Sequence, residues 1–468
     1  MLERKNLRAS ERGLETIKAA IQERGWNLQS ARLYQTAKVS EATLKRFLRR
    51  IPIRRESFIS ICQSIGIDNW ENVIEKSFDR SERSTIVPFA YKETWVGREA
   101  LVSSLLRKFD SNYRVLLIAG LTGIGKTALA ERLVFGLKKD YSKFCRLNFN
   151  DETLEDFVSI AANILTDWQE PITSDDRQNP RRILNWLVNY LKTNNCLLLI
   201  DSLEATLKGD IETGWSNFRD QQWEKFFQAI LASESFNSLI ILTSQDLPAE
   251  LEILSSRYSN LLHCERLVGL TPQEQMELFM KVGLDVTESS LSGNYLRRIG
   301  NAYEGHPLAL EVIIGEILNT PYNRDVISYW NRYGYEIQRI EKIKNEIELK
   351  ASNDNLRLAS YNRNLHRKVK DRIDKTFEKL YEEVYHAYIL LCVSSVYRRP
   401  VQELFFWNLL TNLGFTDKQT VSAIDALLDR SLIREEICNT EVLLSQHNLI
   451  RDVALEHLKK IKIAYESR

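Results

Sequence analysis

Apolar residues recur along this chain with two different periods, and the switches between them mark out its elements. Over residues 11–24, Leu14, Ile17, Ala20 and Ile21 fall on one helical face, with Ser10 placed as N-cap and Gly25 as the stop. A second helix is expected to open at Ser40, with Leu44, Phe47 and Leu48 facing inward and Lys45, Arg46 and Arg49 outward. A third begins in the stretch 51–56 and carries Phe58, Ile59, Ile61, Cys62 and Ile65 as far as Gly66. The pattern then changes. Val115–Ala119, Cys196–Ile200 and Leu239–Leu242 are unbroken aliphatic runs, as strands covered on both faces require. Helical spacing resumes at Ala128–Val134, again after Thr271 with Pro272 in the first turn, and from Ile373 through Phe377, Leu380, Val384, Ala387, Leu390 and Leu391 as one stripe. Residues 431–436 and 441–445 flank a polar turn and predict a β-hairpin. Between these elements, 69–94 is polar and mixed, and 339–375 offers few apolar anchors, as a solvent-facing helix or loose connector would.

Composition narrows the class. The 468 residues should divide into roughly three or four compact units. A hydrophobic content of 44% with 27% charged residues is that of a globular protein without membrane spans, and the charged N-terminus does not open a secretory signal. Six scattered cysteines form no C-x-x-C pair, so reduced thiols and a cytoplasmic location are expected. Residues 1–78 carry 15 Lys and Arg against 9 Asp and Glu, net +6, leaving −5 for the rest of a chain whose total is +1. The basic segment calls for its own reading.

The candidate chemistry centres on Gly120 to Thr127, which read G-L-T-G-I-G-K-T and match G-x-x-x-x-G-K-S/T in full. The match lies between the strand expected at 115–119 and the helix expected from Ala128. Gly120, Gly123 and Gly125, with Ile124 between them, let successive backbone N–H groups turn toward a phosphate at the positive end of that helix. Lys126 would reach the β- and γ-phosphates, and the Thr127 hydroxyl would ligate Mg²⁺. The aliphatic run ending at Asp201 presents a carboxylate at a strand's C-terminal end, where it would hold Mg²⁺ opposite Thr127. Glu204, three residues on, either polarises the attacking water as general base or is a helix-start carboxylate without chemistry.

The order of short helices at 1–78 resembles a repressor-like helix-turn-helix, and more closely the small domain that precedes some bacterial signalling ATPases. Two partners are consistent with it. Duplex DNA would be met by Lys45, Arg46, Arg49, Arg50, Arg54 and Arg55, mostly at phosphates. Alternatively the basic face is solvated and the domain pairs with protein, since Ser40, Glu41 and Thr43 are a poor set for reading bases.

Trp95-Val96-Gly97-Arg98-Glu99 ahead of the glycine loop is similar to the motif that opens the NB-ARC family of STAND signal-transducing ATPases. The resemblance covers roughly residues 95–468 and its motifs occur in the family's order. It implies that the Val96 backbone and Arg98 lie beside adenine and phosphates. It implies that Thr243, after the third aliphatic run, tests for the γ-phosphate. Gln245 stands where the family has Arg, which implies a weakened sensor and slow turnover. Gly305-His306-Pro307-Leu308-Ala309 resembles G-L-P-L-A, whose proline packs on the base, with His306 capping or packing. Gln446-His447-Asn448 resembles M-H-D, which implies that His447 contacts the β-phosphate of ADP, with Gln446 and Asn448 weakening that lock. The helices and hairpin of the C-terminal region resemble the family's winged helix.

The resulting expectation is a multidomain α/β plus α chain. It comprises a helix-turn-helix-like domain (1–78), a linker (79–94), a P-loop parallel α/β nucleotide-binding domain (95–268), a helical subdomain (269–338), a polar connector (339–372) and a winged helix (373–468). The implied function is an ADP/ATP switch with Mg²⁺ and slow hydrolysis, controlling a DNA- or protein-binding module and able to oligomerise with ATP. An ATP-regulated transcription regulator and a P-loop phosphotransferase or housekeeping ATPase are the alternatives. No repeat of period 20–50 occurs, so sensing falls to a separate partner, or the chain is a sensor-free variant or fragment.

Overall fold

The computed structural model describes the chain apart from residues 1–5, 27–32, 34–35, 38, 40, 49–52, 75–94, 110–111, 150–155, 211–214, 351–353, 439–440 and 467–468. It divides into two compact units, one of residues 88–372 and one combining 1–87 with 373–468.

The first unit is built on five parallel strands: β1 (Val115–Ala119), β2 (Lys143–Asn148), β3 (Cys196–Asp201), β4 (Leu239–Ser244) and β5 (Leu262–Arg266). Their spatial order is β5-β1-β4-β3-β2. The aliphatic runs are continuous because both faces are covered. Leu117, Leu198, Ile200, Ile240 and Leu242 enter one core with Phe157, Trp223, Phe226 and Phe227. Leu116, Ile118, Leu197, Leu199, Leu239 and Ile241 enter the other with Val102, Leu105, Leu129 and Leu133. Alternate residues thus feed opposite layers, which is the period-2 geometry of a doubly covered sheet. At about 25 cal/mol per Å² of apolar surface removed from water, these two cores are the main source of this unit's stability.

After β5 the unit turns helical: Pro272–Lys281, Leu291–Ala302, Pro307–Leu318, Val326–Lys350 and the first part of Asp354–Glu383. Thr271 and Glu274 form a capping box at the start of the first of these helices. The helix Pro307–Leu318 is buried from Leu308 to Ile317 apart from Glu311. Both ends of the stretch expected as a connector, 339–372, fall inside long helices. Leu365 and Val369 are buried, and Arg372 is buried in an ion pair with Glu316 and 3.8 Å from Glu336. The helix is thus anchored by a sparse apolar stripe, with the Arg372 pair buried beside it.

The second unit contains the helices Glu11–Glu23, Glu41–Leu48 and Arg55–Ser64, with Ile17, Ile21, Phe47, Phe58, Ile61 and Cys62 at the centre. Ser10 caps the first helix by accepting from the Gly13 N–H. The third helix starts at Arg55 rather than in the 51–54 stretch, because Ile53–Arg54 pairs antiparallel with Asn6–Leu7. From the C-terminal part come Tyr385–Val393, Glu403–Asn412, Asp417–Asp429 and Asn448–Glu466. The hairpin Arg434–Cys438/Glu441–Ser445 is joined by Val401–Gln402 as a third strand. The apolar stripe expected to run unbroken from Ile373 is two helices, parted at Val384, whose φ of −139° is non-helical.

Candidate functional site

The loop after β1 departs from ordinary backbone where glycine permits it: Gly123 has φ +80° and Gly125 φ +98°. Neither tolerates a side chain. A Cβ on Gly125 would lie 2.8 Å from Arg98 Nη1, and one on Gly123 2.9 Å from His306 Cε1. Gly125 caps the helix Lys126–Leu137 without any side-chain hydrogen bond, so the first-turn N–H groups are left to other acceptors. The Gly120 N–H is tied to the Ser244 carbonyl of β4 at 3.2 Å. Ile124 is buried in the core beneath the loop and anchors it there, while Ala128 is half-buried in the first turn.

Lys126 is buried and its ammonium donates to the Gly120 and Leu121 carbonyls at 2.9 and 3.0 Å. Burial pushes its pKa down, while Glu204, Asp201 and Asp246 pull it back up. Thr127 Oγ1 donates to Asp201 Oδ1 at 2.9 Å, and the Thr243 hydroxyl donates to the same oxygen. Thr243 in turn accepts from the Ser202 N–H at 3.0 Å. Because β4 lies between β1 and β3, it places Thr243 beside Asp201. Glu204 is held by the Gln245 N–H at 3.2 Å and by the Gln245 side chain. Burial raises the Glu204 pKa, and Lys126 opposes that rise.

Arg98 has φ +62°, is buried, and donates through Nη2 to the Val268 carbonyl at 2.8 Å. Its N–H bonds the Glu274 carboxylate, and burial lowers its pKa to about 10. Val96 is half-buried two residues earlier, and Pro307 opens its helix half-buried. His306 caps that helix: Nε2 lies 3.0 Å from the Thr122 carbonyl, and Nδ1 accepts the Ala309 N–H at 3.4 Å. Burial drops its pKa to about 4, so it is neutral.

Thus Arg98, the glycine loop, Lys126, Thr127, Asp201, Glu204, Thr243 and the His306–Pro307 turn belong to one unit. His447 belongs to the other, where Nδ1 accepts the Leu449 N–H at 3.2 Å at the start of the last helix. Among the candidate DNA contacts, Arg46 is not outward-facing. It is buried, 2.6 Å from Glu435 and 3.1 Å from Glu403. The opposite charges of the C-terminal part draw in a residue that helical spacing alone puts on the solvent side. Arg55 is exposed and lies over the Trp70 ring. Arg49 and Arg50 lie outside the described residues, as do the side chains of Lys45 and Arg54.

Sequence reasoning missed Arg146 on β2. Its Nη2 is 2.7 Å from Glu131 and 3.7 Å from Asp201 Oδ2. A cation inside a strand flanking an aspartate-ending strand was the available signal. It also missed Asp246, whose pKa is raised by burial beside Lys126.

These residues fit a nucleoside phosphate and a hard divalent cation. The side-chain-free cap leaves backbone donors for phosphate oxygens, and the Thr127–Asp201 pair is an all-oxygen donor set. The strand order and the glycine loop define a P-loop NTPase fold.

No protein-family model matches the chain. A curated relative, an uncharacterized WD repeat-containing protein of Nostoc sp., is 27% identical over 356 residues of alignment, and the match covers 66% of this chain and 27% of the relative. The chain therefore matches about a quarter of that protein's length. A STAND protein with a tetratricopeptide repeat sensor from Pyrococcus horikoshii superimposes with TM-score 0.44 at 16% identity, covering 82% of this chain and 44% of that one. The ORC2 protein of Aeropyrum pernix gives 0.33 at 14% identity, over 83% and 99%. At these TM-scores the likenesses add nothing to the assignment, which stands on strand order and loop geometry. Among the described residues no helix is long and apolar enough to cross a membrane.

Proposed function

We propose that the chain is a nucleotide-dependent switch of the STAND/NB-ARC type, binding ATP or ADP with Mg²⁺ and hydrolysing ATP slowly. The observation that carries this reading is the meeting of Lys126, Thr127 and Asp201 under a glycine loop whose helix lacks a side-chain cap. Mg²⁺, held through Thr127 and Asp201, would neutralise phosphate charge. The residues' own parts are distinct. Lys126 and the loop N–H groups would bind phosphate, Arg98 borders the loop, and Glu204 would accept a proton from water. Gln245 has no guanidinium for the third phosphate, which supports slow turnover and a role as switch rather than as housekeeping enzyme.

We further propose that the segment 1–78 is a helix-turn-helix-like module that pairs with protein, and that the C-terminal region is a winged helix. Arg46 supports protein pairing over DNA binding, because Glu403 and Glu435 already take it. Titration of the full chain with a duplex at low salt should then show no salt-sensitive binding.

The test of the switch reading is the nucleotide carried by the purified protein, released by denaturation and resolved by ion exchange. Stoichiometric ADP supports a closed switch with His447 as part of its lock. A protein that carries no nucleotide and takes up neither ADP nor ATP overturns the reading.

A further inference from the structure

Two of the residues near the loop that differ from the NB-ARC motifs, Gln245 for arginine and His306 for leucine, converge on one residue. Thr122 gives its hydroxyl hydrogen to the Gln245 side-chain oxygen and its carbonyl to His306 Nε2–H at 3.0 Å. Gln245 continues to Glu204 through its N–H at 3.2 Å and its side chain. His306 continues to the Ala309 N–H at 3.4 Å, in the first turn of Pro307–Leu318. The Gly123 carbonyl beside Thr122 accepts the Leu308 N–H at 3.3 Å, so the loop is bonded to that turn twice. The contact is also steric, since a Cβ on Gly123 would lie 2.8 Å from Leu308 Cδ2.

We infer that Thr122 is a junction linking the occupancy of the phosphate loop to Glu204 on one side and to the helix Pro307–Leu318 on the other, with Gln245 and His306 as its positioning residues. The inference rests on the nucleotide-binding reading. A nucleoside phosphate that accepts from loop N–H groups shifts the peptide units of residues 122–125, and both arms of the junction hang on one of those units. On the Glu204 side, the third phosphate is sensed by the carboxylate that Gln245 holds. On the other side the shift enters a helix that is packed along nearly its whole length and therefore moves as a body. At its far end Glu316 is paired with buried Arg372. A leucine in place of His306 could not bond the loop, and an arginine in place of Gln245 could not accept from Thr122.

Amide hydrogen exchange of the full chain, alone and with ADP–Mg²⁺ or ATP–Mg²⁺, tests this at two peptides, one over 120–127 and one over 305–318. His306→Asn keeps a good N-cap for the helix but its shorter amide falls short of the Thr122 carbonyl. Thr122→Val removes only the hydroxyl arm. In the wild type, nucleotide should slow exchange in both peptides, and ATP should slow 305–318 about fivefold more than ADP, the effect of one hydrogen bond. In His306→Asn, 120–127 should remain protected while the response at 305–318 is lost. In Thr122→Val, 305–318 should respond equally to the two nucleotides. A wild type whose 120–127 peptide responds to neither nucleotide overturns the binding reading and the junction together. Protection at 120–127 overturns the junction alone if His306→Asn responds at 305–318 like the wild type, or if Thr122→Val still separates ATP from ADP. Should His306→Asn not fold, the Thr122→Val result decides.

Discussion

Arg46 Nε lies 2.6 Å from Glu435 Oε1, a pairing between a helix near the N-terminus and a strand near the C-terminus of the same compact unit. The contact is one of two ion pairs that this guanidinium makes. The other goes from Nη2 to Glu403 at 3.1 Å. Burial alone would lower the arginine's pKa, but Glu435, Glu403 and Asp425 outweigh it and the net shift is upward.

Removing Arg46 takes a buried cation away from two carboxylates. With side-chain exposures of 14% for Glu435 and 21% for Glu403, some water reaches both, so the cost falls below that of a fully buried pair. Arg46→Ala should destabilise this unit by about 2 kcal/mol, and Glu435→Ala by less. In a double-mutant cycle by urea unfolding the two should couple by about 1 kcal/mol. Simple additivity would mean that the pairing contributes nothing to holding the N-terminal helices on the C-terminal part.

Asp201 sits where two hydroxyls meet one carboxylate oxygen, so its replacement separates metal binding from phosphate binding. Asp201→Asn keeps the shape and can still accept from Thr127 and Thr243, but it loses the charge that favours Mg²⁺. ATP affinity measured with Mg²⁺ should fall about tenfold, while affinity in EDTA stays within about twofold of wild type. Equal losses in both conditions would show that Asp201 shapes the loop rather than the metal site.

Much of this site was legible in the sequence because it depends on local chemistry. The glycine loop, its strand and its helix are contiguous, and an aliphatic run ending in Asp201 has few other structural meanings. What could not be read were relations set by strand order. Arg146 reaches Asp201 because β2 lies beside β3, and Thr122 meets Gln245 because β4 lies beside β1. Neither adjacency follows from spacing along the chain. Arg46 shows the same limit from the other side. Helical periodicity counts it as exposed, and acidic residues more than 350 positions away bury it.

Glu204 is the candidate general base, and its environment fixes the sign of a pH effect. Burial raises its pKa above the ordinary 4.5, with Lys126 and the Gln245 hydrogen bonds pulling down. Only the carboxylate form accepts a proton, so hydrolysis should fall as pH is lowered through a midpoint above that of a free glutamate. Glu204→Gln should cut single-turnover hydrolysis about 100-fold, leave nucleotide binding in place and abolish the acid limb. If the variant hydrolyses ATP at the wild-type rate, Glu204 is a structural carboxylate in the short helix Leu203–Thr206.

His306 gives a stability signature independent of catalysis. Burial holds its pKa at about 4 in the fold, assisted by the positive charges of Lys126 and Arg98, against 6.5 when exposed. Between those two values the unfolded chain binds a proton that the folded chain excludes, so stability rises with pH across that window and is lost as pH falls from 6.5 toward 4. At 1.36 kcal/mol per pKa unit the full effect is about 3 kcal/mol. His306→Asn has no titrating group there. At pH 7 it should be less stable than wild type by about 1 kcal/mol, the worth of the lost bond to Thr122. As pH is lowered the wild type loses the His306 contribution and the variant does not, so the two urea midpoints should converge and then cross before pH 4.5. Parallel midpoints from pH 7 to 4.5 would mean that His306 is charged or solvated in the fold. The neutral imidazole, whose Nδ1 accepts the Ala309 N–H, would then be excluded.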